Sequence, residues 1–385
     1  MKREVYLDNN ATTRPLPEVV DAVVRCMTDG WANPSSAHSA GRQAAGQMER
    51  ARDSVRDLLE ASRYELVFTS GGTESNSTVF RSMSGSAERP RVITTAAEHS
   101  SIMANAESML NAGADVVFLP ISSTGIVDLA QLRHEVSRGA DLVAVHWVNS
   151  ETGVIQPISQ IAELCAEHGA PLLVDGAQAV GKVSIDLNEL PISFFTFSGH
   201  KIHGPHGVGG LLMSEPQSLC PLLLGGDQER GLRAGTHNLP AVVGLGEAAR
   251  LRGERFVAVS NHVCSLRDRL ETSLVSTGYA AVNGDEAQRV ENTTNLCFQG
   301  IDGQALLARL DAAGVYASQG SACTSHRPEP SHVLTAMGLS EDAAHASIRF
   351  SFSELSDDED VELALAETKR HCDFLRSLAA GAAAV

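Results

Sequence analysis

The stretch Leu172-Leu173-Val174-Asp175-Gly176-Ala177-Gln178 decides the fold. A short apolar run that ends in a carboxylate and a glycine is the pattern of a strand buried on both faces, with its carboxyl end opening into a ligand crevice. Asp175 and Gln178 are then placed to meet a bound molecule. Outward from this run, β-rich segments recur at residues 65–69, 91–95, 115–119, 142–148, 171–175, 194–198 and 208–213. Helical spacing fills residues 75–84, 100–112, 129–138 and 158–167 between them, with Gly113, Gly139 and Gly169 as stop signals. Upstream, residues 42–59 read as one amphipathic helix with Ala45, Met48, Val55 and Leu58 on its buried side. The alternation predicts an α/β protein built on one large, mostly parallel, seven-stranded sheet with helices on both faces. After about residue 256 the pattern changes. Predicted strands at 280–283, 294–298 and 348–352, with helices at 304–313 and 360–378, suit a smaller α+β domain.

The chain has 385 residues, 43% of them apolar, enough to fill the core of two domains at about 150 residues each. With 47 acidic against 30 basic residues the net charge is −17, which disfavours binding to nucleic acid. No apolar run approaches the roughly 18 residues of a membrane span, and Met1-Lys2-Arg3-Glu4 does not lead into a signal-peptide core, so a soluble, cytoplasmic protein is expected. The seven cysteines (26, 165, 220, 264, 297, 323 and 372) are odd in number, dispersed and without a CxxC pair, as in a reducing compartment.

Four segments carry chemistry. In Thr69-Ser70-Gly71-Gly72-Thr73-Glu74 the glycines let backbone N–H groups approach an anion at a helix N-terminus, although a capped strand-to-helix turn reads the same way. Gly176 to Lys182 matches G-x-x-x-x-G-K, but Val183 follows where a nucleotide-binding loop needs Ser or Thr for magnesium, so that reading is set aside. In Phe195-Thr196-Phe197-Ser198-Gly199-His200-Lys201-Ile202-His203-Gly204-Pro205-His206-Gly207, Lys201 directly follows a strand end, where a carbonyl cofactor could be held as a Schiff base. His200, His203 and His206 invite a zinc reading, but Gly204 and Pro205 break the helix that would align them and no carboxylate or thiol completes a set. An amine at Lys201, a carboxylate at Asp175 and an anion-binding turn at Gly71-Gly72-Thr73 together meet three demands of pyridoxal phosphate. In Ser318-Gln319-Gly320-Ser321-Ala322-Cys323-Thr324-Ser325, Cys323 has small polar neighbours that predict an accessible loop thiol, whereas Cys297 alternates as packing in a strand. Arg349 lies in a predicted strand, where the residues alone favour a structural ion pair over a fork onto a ligand carboxylate.

With these residues in place, the chain resembles the pyridoxal-phosphate-dependent cysteine desulfurases of the NifS/IscS type, within the aminotransferase class V group. Nine segments carry the resemblance in order. They are residues 6–13, 33–38, 71–76, Glu98-His99, Val148-Asn149-Ser150-Glu151-Thr152-Gly153, Asp175-Gly176-Ala177-Gln178, Ser198-Gly199-His200-Lys201, residues 228–236 and Gly320-Ser321-Ala322-Cys323-Thr324-Ser325. The resemblance implies fold type I of the pyridoxal-phosphate transferases. A large cofactor domain would span residues 14–256, and 1–13 with 257–385 would form the small domain bearing a long cysteine loop at about 318–330. It implies Lys201, His99 and Cys323 as catalytic residues, with His99 stacked on the ring and a candidate base for the thiol. Gly72, Thr73, Ser198 and His200 would bind phosphate, joined by Thr236 of a neighbouring subunit in a homodimer, with Gly199 also counted among the cofactor-binding residues. Asp175 would hold the ring nitrogen, Gln178 the phenolic oxygen, and Asn9, Asn149 and Arg349 the substrate, Asn149 also touching the cofactor.

The implied reaction takes sulfur from L-cysteine, leaving L-alanine and a persulfide on Cys323 for an acceptor such as an iron–sulfur scaffold or a thiolation relay. No nucleic-acid or membrane partner and no intrinsic metal are implied, although Cys323 could touch a transferred iron–sulfur cluster. Selenocysteine lysis, or another lyase or aminotransferase reaction on the same fold, is the alternative. Gln319, His206 and Ser325-His326-Arg327-Pro328 depart from the family's usual residues, which leaves the acceptor open.

Overall fold

The computed structural model describes residues 3–83, 88–214, 219–320 and 329–382. Cys323 and Ser325-His326-Arg327-Pro328 lie outside them. The central sheet holds β2 (Glu65–Thr69), β3 (Arg91–Thr95), β4 (Asp115–Leu119), β5 (Leu142–His146), β6 (Leu172–Asp175), β7 (Phe194–Ser198) and β8 (Gly209–Met213), in the order β2-β8-β7-β6-β5-β3-β4. Only β8 runs opposite to the other six strands, so the predicted mostly parallel, seven-stranded sheet is correct.

Both faces of the sheet are buried, which is why its strands read as continuous apolar runs. Along β5, Val143 and Val145 enter one core while Leu142 and Ala144 enter the other; Phe195 and Phe197 of β7 oppose Phe194 in the same way. The surrounding helices are α1 (Pro17–Asp29), α2 (Ser39–Leu58), α3 (Gly72–Met83), α4 (Ser100–Asn111), α5 (Leu129–Val136) and α6 (Ile158–Glu167).

A single 37-residue helix, α7 (Leu239–Val275), joins this layer system to the C-terminal part. No helix is predicted from the sequence at α1 or α7. The reason at α7 is a change of partner along its length: Ala241, Val242 and Leu245 pack into the sheet's core, whereas Val263, Leu266, Leu270 and Leu274 pack into a second one. Its apolar stripe therefore drifts, and the helix runs unbroken across residue 256, where the sequence pattern changes. The second core covers the antiparallel sheet β12-β10-β9, formed by β9 (Ala281–Val282), β10 (Thr293–Cys297) and β12 (Ser347–Ser351). Around it lie α8 (Gly303–Ala313), α9 (His332–Ala336), α10 (Glu341–His345) and α11 (Asp358–Ala382). The chain's start returns to the same place: β1 (Val5–Tyr6) pairs with β11 (Val315–Tyr316), and Val5 and Leu7 are fully buried among the residues of that core. No described helix is long and apolar enough to cross a membrane.

The turn at Gln228–Gly231, which meets the edge strand β2, is held by a buried carboxylate. Glu229 and Arg230 both adopt left-handed backbone angles (φ 47° and 57°), which non-glycine residues keep only where contacts hold them. Glu229 accepts from Arg52 at 3.1 and 3.2 Å and from the Phe68 N–H at 3.1 Å, and its carboxylate lies 2.9 Å from His237 Nε2. Removing one member of such a buried set strands the others. Glu229→Ala should therefore lower unfolding free energy by about 3–5 kcal/mol. Glu254→Ala, which breaks an exposed pair with Arg250, should change it by under about 1 kcal/mol in the same urea titrations.

Candidate active site

Parallel strands deliver their C-terminal residues to one edge of the sheet, and a cleft opens there. Asp175 ends β6, Ser198 ends β7 and His146 ends β5, and all three line the cleft. Asp175 is buried, so each carboxylate oxygen needs a donor. Oδ1 accepts from the Ala177 N–H at 2.9 Å and Oδ2 from Asn76 Nδ2 at 2.8 Å. Asn76 projects from α3 and is itself fixed by Thr196, whose hydroxyl donates to its Oδ1 at 2.7 Å.

At the start of α3 the Gly72 N–H donates to Ser198 Oγ at 2.8 Å. A Cβ at Gly72 would stand 3.2 Å from that oxygen and one at Gly71 3.4 Å, so side chains would crowd the cradle. His200 lies on the same wall, its Nδ1 3.1 Å from Thr12 Oγ1 and its ring stacked on His206 at 5.3 Å. Burial, with help from the Lys201 and His206 charges, pushes the His200 pKa down from 6.5 to about 4. A neutral imidazole there keeps an N–H to donate without requiring a counter-ion.

His99 caps α4. Its Nδ1 accepts from the Ser101 N–H at 3.2 Å, and because that group only donates, the neutral ring carries its proton on Nε2. Lys201 sits in a short turn after β7, its amine donating to the Asn10 and Ala11 carbonyls at 2.5 and 2.8 Å. Asn149 Oδ1 accepts from the Glu151 and Thr152 N–H groups at 2.9 and 3.0 Å, which shapes the loop after β5. Arg349, 1% exposed, crosses from β12 into the cleft; Nη2 donates to Asp8 Oδ1 at 2.5 Å and Nη1 to the Ser150 carbonyl at 2.9 Å, while Nε has no partner among the described residues.

One cleft therefore collects Gly72, Thr73, His99, Asn149, Asp175, Gln178, Ser198, His200, Lys201 and Arg349. Three expected site residues are elsewhere. The Asn9 amide is spent on the Tyr6 and Ser351 carbonyls at 3.1 and 2.8 Å, and its neighbour Asn10 faces the cleft instead. Gly199 does not line the cleft, and its N–H is committed to the Val208 carbonyl at 2.9 Å, which leaves it no backbone donor for the cofactor. Thr236 is exposed and does not reach its own chain's cleft. Among the described residues no group of three His, Cys, Asp or Glu side chains could hold a metal ion.

Two residues with no assigned role complete the floor. Glu98, fully buried, accepts from Thr95 Oγ1 at 2.7 Å and the His146 N–H at 2.8 Å, and lies 3.0 Å from His146 Nδ1. Burial opposes charge on that ring, but Glu98, with Asp175 beyond it, outweighs the penalty and raises the His146 pKa. His146 ends the observed β5, whereas the predicted strand runs on to residue 148, so the strand-end rule that singled out Asp175 passes over it.

These residues fit pyridoxal phosphate: a helix N-terminus whose glycines leave room beside Ser198, a carboxylate with both oxygens oriented, and an amine between them. The aminotransferase class-V family profile matches residues 5–364. A cysteine desulfurase from Nostoc sp. is 41% identical over 97% of this chain and 94% of its own. Cysteine desulfurase NifS of Azotobacter vinelandii is 42% identical over 94% and 91%. A NifS-like protein of known structure from Rickettsia africae superposes with a TM-score of 0.87 at 31% identity, covering 96% of this chain and 100% of that one. The match runs through both cores and every wall of the cleft: the chain belongs to the aminotransferase class-V family, whose enzymes depend on pyridoxal phosphate.

Proposed function

We propose that the protein is a cysteine desulfurase that moves sulfur from L-cysteine onto Cys323, releasing L-alanine. The observation that carries this reading is the convergence of Lys201, Asp175, His99, the Gly72–Ser198 cradle and Arg349 on one cleft. Bound there, pyridoxal phosphate supplies an electron sink for charge that develops at the substrate's α-carbon. Lys201 would hold the cofactor at its aldehyde carbon and would move the proton at the substrate's Cα. Asp175 would hold the ring nitrogen protonated, and His99 would pack against the ring with its Nε2–H available for transfer. Arg349 forks the substrate's α-carboxylate, steadied by Asp8 behind it. Gly72, Thr73, Ser198 and neutral His200 bind phosphate, and Thr236 joins them from a second subunit of a cytoplasmic homodimer.

The thiolate of Cys323 attacks the sulfur of cysteine; an S–S bond forms as the C–S bond breaks. Cysteine and the enzyme thiol thus become alanine and an enzyme persulfide, which passes its outer sulfur to an acceptor protein such as an iron–sulfur scaffold. Of the described cysteines, Cys165 and Cys372 are buried with pKa values pushed up to about 12, unsuited to nucleophilic work.

Cys323→Ala should lower alanine release from L-cysteine by on the order of 10³-fold or more. Mass spectrometry after exposure to cysteine should find one added sulfur atom, on the peptide containing Cys323. Sulfur release that survives the substitution would favour selenocysteine lysis or another reaction on this scaffold. Lys201→Ala should abolish both turnover and the yellow colour that borohydride bleaches, whereas Cys323→Ser should keep the colour.

His200 predicts a pH dependence of stability. The unfolded chain takes up a proton on this ring as pH falls through 6.5, but the folded one only near 4. Stability is therefore whole above 6.5 and declines through that window on acidification. His200→Gln should flatten the decline in urea titrations between pH 6.5 and 4, leaving the slope due to His203, whose pKa burial also lowers.

A further inference from the structure

Gln178 offers the cleft an amide, and an amide has two opposite ends. Its Nε2 donates to the Asn10 carbonyl at 2.8 Å, and its Oε1 accepts from the amine of Lys182. A carbonyl only accepts, so nitrogen must face Asn10; an amine there donates, so oxygen must face Lys182. Both contacts impose one orientation, and the second N–H of Gln178 has no other acceptor among the described residues. Lys182 Nζ also donates to Asn10 Oδ1 at 2.9 Å, closing a ring of three residues. The ring meets the Lys201 amine at the shared Asn10 carbonyl. The far end of Asn10 is fixed independently, its Nδ2 donating to the Ser150 carbonyl at 3.1 Å and Thr293 Oγ1 at 2.9 Å. Burial, then the charges of Lys201, Arg349 and Arg252, hold the Lys182 pKa well below its ordinary value. Donation survives in either charge state, because an uncharged amine retains two N–H groups.

We propose that Lys182 is a positioning residue for the reaction, orienting Gln178 so that it donates a hydrogen bond to the phenolic oxygen of the cofactor. This rests on the desulfurase reading above. It gives the lysine of the G-x-x-x-x-G-K stretch a task unrelated to nucleotide phosphate. A donor at that oxygen stabilises its deprotonated form, so losing the donor raises the pH at which the bound cofactor changes colour.

The test compares wild type, Lys182→Met, Gln178→Ala and the double variant. Methionine keeps the length of the side chain and removes its hydrogens. In the holoenzyme, the pH midpoint of the visible absorbance change should rise by about half to one unit in each single variant and no further in the double. An unchanged midpoint in Lys182→Met, or a shift that adds to that of Gln178→Ala, would overturn the proposal. A purely structural lysine would lower stability without moving the midpoint. In cofactor-free protein, urea unfolding of the same four should show non-additive losses, because both substitutions remove one contact; additive losses would equally overturn it. That second readout needs no cofactor, so a colourless protein with coupled losses would refute the desulfurase reading while the Lys182–Gln178 contact stood. If Lys182→Met does not fold, Lys182→Gln, with an N–H at shorter reach, takes its place; its midpoint should lie between wild type and Gln178→Ala.

Discussion

A carboxylate taken out of water must be met by fixed donors, and at Asp175 that requirement organises the cleft. One oxygen is answered locally by the Ala177 N–H, two residues on, at 2.9 Å. The other needs Asn76 at 2.8 Å, nearly a hundred residues earlier in the chain, and this ties α3 to the end of β6. The same helix brings Gly72 against Ser198 of β7. A single unmet oxygen thus sets the spacing between the residues that would grip the ring and those that would grip the phosphate.

The cleft is closed from the other side by the chain's beginning. Residues 8–13 leave the strand pairing of β1 and pass over the sheet's edge, where the Asn10 carbonyl receives both Lys201 and Gln178. Asp8 meets Arg349 from β12 at 2.5 Å. Neither group belongs to the parallel sheet. The side of the cleft assigned to substrate is therefore built from the two ends of the polypeptide, and its geometry depends on the C-terminal core packing against the first residues. The buried Glu98–His146 pair adds polar groups to the same cleft, the imidazole drawn toward its charged form by Glu98 first and by Asp175 second.

Local chemistry was legible where one residue's environment comes from its own segment. The glycine turn before α3, the strand-end Asp175 and the lysine after β7 all declare themselves by sequence context, and they meet in space. Asn9 and Gly199 show where that logic stops. Side chains of neighbouring residues point in different directions, so a motif containing Asn9-Asn10 does not say which amide reaches the cleft; the Tyr6 and Ser351 carbonyls take the first. Gly199 sits in a motif of cofactor residues, yet its N–H is consumed by a strand neighbour. The helix at Leu239–Val275 carries no single periodic stripe because its apolar face serves two cores in turn.

The sequence by itself determined the parallel-sheet architecture, the order of the strands along the chain and most of the groups that would carry chemistry, because these follow from periodicity and residue type. Tertiary structure alone decided how those groups are oriented: which oxygen of Asp175 faces Asn76, which end of Gln178 faces the cleft, and that Arg349 is braced by Asp8. Hydrogen bonds between residues far apart in sequence set these orientations, and their partners become known only when strands and termini are brought together.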